Sequence, residues 1–344
     1  MMKNWKSCSL VLLCIALAGL LSLYAKPRPA GPTGYQLVKT IPLPGDGFWD
    51  YVGVDSDARR IYVSHGTKVL VLNADSFAFL GEIPDTQGVH GIAVAPELGR
   101  GFTSNGRAGT STIFDLKTLK TVGTVNTGKN PDAIAYDDIS KRVFTFNGAS
   151  KDATAFAASD GTVAGSIPLN GKPEFAAVDG KGKVYVNIED TSELVEIDTK
   201  ELKILHRWPL APCESPSGLS MDKKNRRLFA GCENKMMAVV DADSGKVIAT
   251  PAIGQGVDAT AYDPGTGFAL SSNGEGTLTV IKQDGHDNYS VLDNVPTRKS
   301  ARTMGLDLKT HNVVLPAADF LPPKPGERRG EMKPGSFVLL VVSR

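Results

Sequence analysis

A unit of 40 to 44 residues recurs seven times along this chain. Each copy holds a short run of small and apolar residues, an Asp or a substitute, a polar turn, a β-rich run, a break at Gly or Asn, a second β run, and an Asp-x-x-(Ser/Thr) turn. The anchors are Asp55, Ala95, Asp137, Asp179, Asp222, Asp263 and Asp307. A period of roughly 40–45 residues with four strands per unit is the blade spacing of a β-propeller. The fifth copy shows the strand order. Gly218–Met221 is innermost and Arg227–Gly231 second. Met236–Asp241 is third, and a fourth spans Lys246–Pro251.

A second pattern tests the first. Two residues before each anchor stand Gly53, Ala93, Ala135, Ala177, Ser220, Ala261 and Gly305, all small. One residue before stand Val54, Val94, Tyr136, Val178, Met221, Tyr262 and Leu306, all large. Alternation at period two marks a strand. Small against large suits blades that converge on an axis, where space tapers. The seventh copy lacks a fourth strand, and Tyr35–Leu43 ahead of the first copy is a spare one. An all-β, seven-bladed propeller is therefore expected, its last blade completed by the N-terminal strand. That closure removes an open sheet edge.

The runs Arg60–Ser64, Lys183–Asn187 and Arg142–Asn147, with the turn Asp241–Thr250, resemble the YVTN-type repeat. Over residues 35–344 the chain resembles the YncE-like family of exported bacterial propellers, within the quinoprotein amine dehydrogenase-like superfamily. That resemblance implies the fold. It implies little about activity, because propellers host many functions, and no cofactor-attachment motif of the redox members is present.

The N-terminus has the form of an export signal. Lys3 and Lys6 precede a charge-free apolar run from Leu10 to Leu23, and Ala25 offers a small residue for cleavage. Residues 1–25 are expected as a signal peptide, 26–34 as a flexible linker, and the mature protein as periplasmic or secreted. The apolar run is short for a spanning helix, which needs roughly 20 residues, so no stable span is expected after cleavage. Cys8 and Cys14 would leave with the signal. Cys213 and Cys232 would remain in an oxidising compartment, where a disulfide is favoured over a redox or metal pair.

The formal net charge is only +1, which argues against a polyanion-coating surface. Single-stranded nucleic acid would need an aromatic, basic face, and only Phe48, Trp49 and Tyr51 fit. A monomer is expected. Five residues before each anchor, where each innermost strand begins, stand Asp50, His90, Asp132, Glu174, Ser217, Asp258 and Arg302. The repeat places these seven as a ring around one end of the central channel, here called the top. His65, Asn105, Asn147, Glu189, Asp190, Glu233, Asn273 and Glu275 are expected farther out on the same face.

Clustered carboxylates repel and are relieved by a cation. Asp50, His90, Asp132 and Glu174 come from consecutive blades and could offer oxygen and nitrogen ligands to a divalent metal, the one cofactor suggested, with His90, Asp132 and Glu174 as the expected set. The leading expectation is a binding module whose top face, including His65, receives a small ligand, metal or protein partner. The alternative is a metal-assisted, lactonase-like hydrolase or lyase using the same acids and His90. The basic run Arg298–Arg302 and the proline-rich insertion Phe320–Gly330 should lie on that face, the insertion as a flap over the channel or a partner-docking loop. No Ser-His-Asp set, phosphate-cradling loop or CxxC pair is present.

Overall fold

The computed structural model describes residues 31–45, 47–285, 287–324, 326 and 330–344. The expected signal peptide and most of the expected linker lie outside these residues. The end of that linker, residues 31–34, forms a turn. Thr33 Oγ1 donates to Asp293 Oδ2 at 2.8 Å, and Arg344 Nε donates to the Thr33 carbonyl at 2.9 Å.

Seven four-stranded antiparallel sheets follow one another around a ring. Blade 1 contains β2 (Val52–Asp55), β3 (Arg60–His65), β4 (Lys68–Asn73) and β5 (Phe79–Ile83). The innermost strands of blades 2 to 6 are β6 (Val89–Ala95), β10 (Pro131–Asp137), β14 (Pro173–Val178), β18 (Pro216–Asp222) and β22 (Val257–Asp263). Blade 7 contains β26 (Gly305–Leu306), β27 (Val313–Ala317) and β28 (Val338–Ser343) from the C-terminus, with β1 (Gln36–Pro42) added outside β28. Thr40 stands opposite Leu340 and Ile41 opposite Leu339. Each innermost strand touches the next, and β26 touches β2, so the circle closes. Among the described residues no helix is long and apolar enough to cross a membrane.

Core clusters lie between blades. Leu270, Leu278 and Val280 of blade 6 pack with Leu315, Leu340 and Val342 of blade 7. Each such side chain is worth about 1.5–3 kcal/mol on burial, so the closing contact adds much to the fold. The taper is visible at Gly218, where a Cβ would stand 2.5 Å from the Thr260 backbone nitrogen of the next blade.

The anchor aspartates have a double role. Asp222 Oδ1 accepts the backbone N–H groups of Lys224 and Asn225, and Asp55 Oδ1 accepts those of Asp57 and Ala58, which fixes the turn after the innermost strand. The next blade then reaches back to them. Thr199 Oγ1 donates to Asp137 at 2.7 Å, His311 Nδ1 lies 2.8 Å from Asp263, and Arg59 of blade 1 grips Asp307 of blade 7 at 2.8 Å.

The Cys213–Cys232 disulfide is present, with its Cα atoms 5.5 Å apart. It ties the connection entering blade 5 to the end of that blade's second strand. In the chain-entropy view a loop of this size is worth about 3 kcal/mol.

The insertion in blade 7 returns on itself. Phe320 and Met332 form an antiparallel bridge, and the Leu321 N–H donates to the Glu331 carbonyl at 2.8 Å. Phe320 stacks on Trp49 with ring centroids 5.8 Å apart. Residues 325 and 327–329 of the insertion lie outside the described set.

Candidate functional site: the acidic mouth of the central channel

Five of the innermost strands carry a bulge just where the ring residue sits, between Val89 and Ile92, Pro131 and Ile134, Pro173 and Ala176, Pro216 and Leu219, and Val257 and Ala259. A bulge re-aims a side chain at the end of a strand. The backbone it frees needs partners, and small polar residues at the fifth position of the second strands supply them. Ser104 Oγ accepts the Gly91 N–H at 2.8 Å, and in blade 1, whose innermost strand pairs without a bulge, Ser64 Oγ accepts the Asp50 N–H at 2.9 Å. Asn187 Nδ2 donates to the Ser217 and Gly218 carbonyls at 2.9 and 3.1 Å. These supports went unnoticed in the sequence, although their recurrence on otherwise apolar strands was a signal.

The ring residues meet in blade order. Ser217 Oγ donates to Asp258 Oδ1 at 3.0 Å. Arg302 Nε donates to Asp258 Oδ2 at 2.5 Å, and its Nη2 reaches Asp50 Oδ1 at 3.4 Å. His90 Nδ1 lies 2.6 Å from Asp50 Oδ2 and 3.4 Å from Asp132 Oδ1. Glu174 turns to Lys172 Nζ at 2.6 Å, and Glu189 pairs with the same ammonium. Six of the seven expected residues therefore form one connected chain of contacts, while Glu174 pairs with Lys172 instead.

The convergent set differs from the expected metal ligands. Asp50, His90 and Asp132 each offer a ligand atom, and these atoms lie within 4.8 Å of one another. Glu174 is outside that set because Lys172, two residues earlier, holds its carboxylate. His65 is also outside the mouth. It is buried and stacks on Phe337, with centroids 4.8 Å apart. Asn105, Asn147 and Asn273, expected on the rim, are buried inside their blades, where each donates to threonines of the third strand, such as Thr112, Thr154 and Thr279.

Tyr51 follows Asp50 directly and reaches across the axis toward blade 4. Its ring lies against Phe175 of blade 4, with centroids 4.3 Å apart. Burial raises its pKa well above the ordinary phenol value, and Asp132, Glu174, Asp50 and Asp258 push it further up. An aromatic pair from blades 1 and 4 thus meets across the axis next to the ring.

Burial dominates the acids. Asp132 is pushed up to about 6 by desolvation, which the His90 charge opposes and Asp50 reinforces. Asp258 is raised by burial against the pull of Arg302. Glu174 is raised by burial and by Asp132, against Lys172. For His90, burial acts downward, but the Asp50 hydrogen bond and the charges of Asp132 and Asp50 leave its pKa raised. Five carboxylates, counting Glu189, thus face Arg302, Lys172 and one imidazole. The cluster is short of positive charge unless it holds protons or a cation.

Fold and site together define a seven-bladed β-propeller with an acidic, His-containing cluster at the mouth of its central channel. No family model matches the chain, and no curated protein sequence matches it. Its likenesses are to solved structures. One is the structure of U3-55K, with 10% identity, a TM-score of 0.76, and coverage of 90% of this chain and 100% of that one. A second is the crystal structure of the RRP9 WD40 repeats, with 9% identity, a TM-score of 0.75, and coverage of 92% and 99%. A third is Kuenenia stuttgartiensis hydrazine synthase, with 13% identity, a TM-score of 0.68, and coverage of 79% and 92%. At such identities the likeness establishes the propeller architecture.

Proposed function

We propose that this protein is an exported binding module of the YncE-like kind, whose top-face channel mouth holds a divalent cation at Asp50, His90 and Asp132. The observation that carries this reading is the convergence of two carboxylates and an imidazole from three consecutive blades within 4.8 Å. A donor set of one nitrogen and two oxygens suits a transition ion or zinc. The rigid blades would hold the ligands.

Elemental analysis and calorimetric titration with zinc and manganese test this directly. One divalent ion per chain is expected, with affinity falling at acid pH as protons compete for the ligands. His90→Ala and Asp132→Ala should each weaken it more than about tenfold. A wild-type protein that takes up no ion, or a His90→Ala variant that binds as well, would overturn the reading.

The second reading is a metal-assisted hydrolase or lyase. The observation favouring it is the Asp132 carboxyl, which burial pushes up to about 6 without an ion and which suits proton transfer near neutrality where it does not serve as a ligand. In the same experiment the metal-loaded protein is offered lactones. Hydrolysis lost in Asp132→Asn would support an enzyme, and inert lactones would leave the binding module alone.

Export rests on the sequence of residues 1–25. Protein recovered outside the cytoplasm should begin within a few residues of Lys26 on N-terminal sequencing. An intact Met1 on the exported form would reject cleavage.

A further inference from the structure

Beside the acidic mouth runs a second feature of opposite character. A groove of about 610 Å³ lies between blades 6 and 7, lined by Gly256, Gly274, Lys299, Arg302, Phe320 and Lys333 among others. It adjoins a crevice of about 200 Å³ lined by Gly47, Phe48, Trp49, Phe320 and Met332. Phe320 lines both, so a basic groove and an apolar crevice lie side by side and together are termed the cleft, with a basic end and an apolar end.

The basic end holds more donors than its acceptors satisfy. Lys299 and Lys333 are exposed, and among the described residues neither is in an ion pair. Arg302 Nη1 is buried and has no acceptor. Asp319, the acidic side chain of the lining, is already held by Arg298 Nη2 at 2.6 Å. The apolar end has the same deficit in one place. Trp49 is 1% exposed, and its indole Nε1 has no acceptor. A buried donor left unpaired costs about 1–3 kcal/mol, so Arg302 gains from an acceptor bound at the basic end. Phe48 is 45% exposed and stands over the junction, edge-on to His90 at 5.8 Å and 5.9 Å from the Arg302 guanidinium carbon.

We infer that this cleft is a binding site for a small amphipathic organic acid, its carboxylate at Lys299, Arg302 and Lys333 and its apolar body along Phe48, Trp49, Phe320 and Met332. Two ammonium groups and a guanidinium recognise the anion. The aromatic walls recognise a hydrocarbon body, and a concave, mostly apolar lining with a few convergent polar groups is the usual form of a small-molecule site. The inference rests on the top face being the binding face, and it does not need the metal. Arg302 touches both sites, so a ligand here would lie within reach of the Asp50–His90–Asp132 cluster.

The test is calorimetric titration of the purified protein with octanoate, octanamide and inorganic phosphate, with and without prior metal removal by chelation. Octanoate should bind saturably, with octanamide at least about tenfold weaker because the charge-assisted bonds are lost. Phosphate should also be weaker, because it has no apolar body. The double variant Lys299→Ala/Lys333→Ala should weaken octanoate about tenfold and leave octanamide unchanged. Met332→Glu should weaken both organic probes. Binding that survives chelation supports the cleft even if no metal site exists. Octanoate that binds only the metal-loaded protein and ignores the lysines would show the anion on the ion, and would overturn the cleft while leaving the metal reading intact. Equal binding of acid and amide, phosphate as tight as octanoate, or no saturable binding at all would also overturn it.

Discussion

Replacing Arg302 with Ala should destabilise the protein by about 3–5 kcal/mol at pH 8, and by much less at pH 5. The guanidinium is 18% exposed and sits between Asp258 and Asp50, whose side chains are 24% and 11% exposed. Removing one partner of a buried pair leaves the other charge uncompensated, which is the costly case. Asp258 is already raised by burial, and Arg302 is the main force acting against that. Without Arg302 its folded pKa climbs further. A carboxyl with a raised folded pKa favours the folded state fully below its unfolded pKa, and loses that advantage as pH rises through the folded value. The variant's deficit should therefore open with rising pH. Urea unfolding at the two pH values measures it, and Arg302→Ala/Asp258→Asn should recover most of the loss. Equal destabilisation at both pH values would mean that Arg302 acts by packing on Phe48 and Trp49 instead.

The same residue shows where a repeat is informative and where it is not. The period placed Arg302 at the channel mouth because position within a repeat maps onto position within a blade. Small residues such as Ala135 and large ones such as Tyr136 alternated where the taper required it. The missing fourth strand of blade 7 pointed to β1. Which ring members pair was not legible, because that depends on side-chain direction at a bulge and on neighbours outside the repeat. Lys172 takes Glu174 out of the convergent set, and no spacing rule in the ring positions shows this. Asp50 enters it because Ser64 and Thr303 hold its backbone, Thr303 Oγ1 donating to the Asp50 carbonyl at 2.6 Å.

Misplacement of the asparagines has a different cause. Asn105, Asn147 and Asn273 end their strands next to polar turns, so they looked solvent-facing. In the structure each closes the hairpin to the third strand, with a second-strand hydroxyl donating to its carbonyl oxygen, as from Thr103 at 2.8 Å and Ser271 at 2.8 Å. An amide can accept one bond and donate two in a fixed plane, which satisfies a buried corner. The Thr-x-Asn and Ser-x-Asn spacing was present to be read. In the sequence Tyr51 stands out only as one of three neighbouring aromatics, with Phe48 and Trp49. Its contact with Phe175 crosses the axis between blades 1 and 4, a distance no local pattern reports.

Between about pH 4 and pH 9 the stability of the metal-free wild type should fall as pH rises, because the titrating groups of the mouth act in one direction. Asp132 moves from 3.8 to about 6 and Glu174 from 4.5 to about 9 on folding, both raised first by burial. His90 is also raised, so its charged form favours folding below its unfolded pKa, and that contribution fades as pH climbs through the folded value. In each case the native state holds more protons than the unfolded chain across the window, so unfolding free energy declines with pH. Asp132 alone accounts for a change on the order of 3 kcal/mol. Asp307 works from the other side. Burial acts upward on it, but Arg59 and Thr310 hold its pKa well below the carboxylate range, so its stabilisation is lost as the solution becomes strongly acidic. The maximum should therefore fall near pH 4, at the acid end of that window. A divalent ion at Asp50, His90 and Asp132 would replace the protons, lowering the carboxylate pKa values and flattening the alkaline limb. Saturating zinc or manganese should therefore raise the unfolding midpoint at pH 8 much more than at pH 5. A metal-free profile that rises from pH 5 to pH 8 would contradict the electrostatics of the mouth, and an ion that stabilises equally at both pH values would be bound somewhere other than these three side chains.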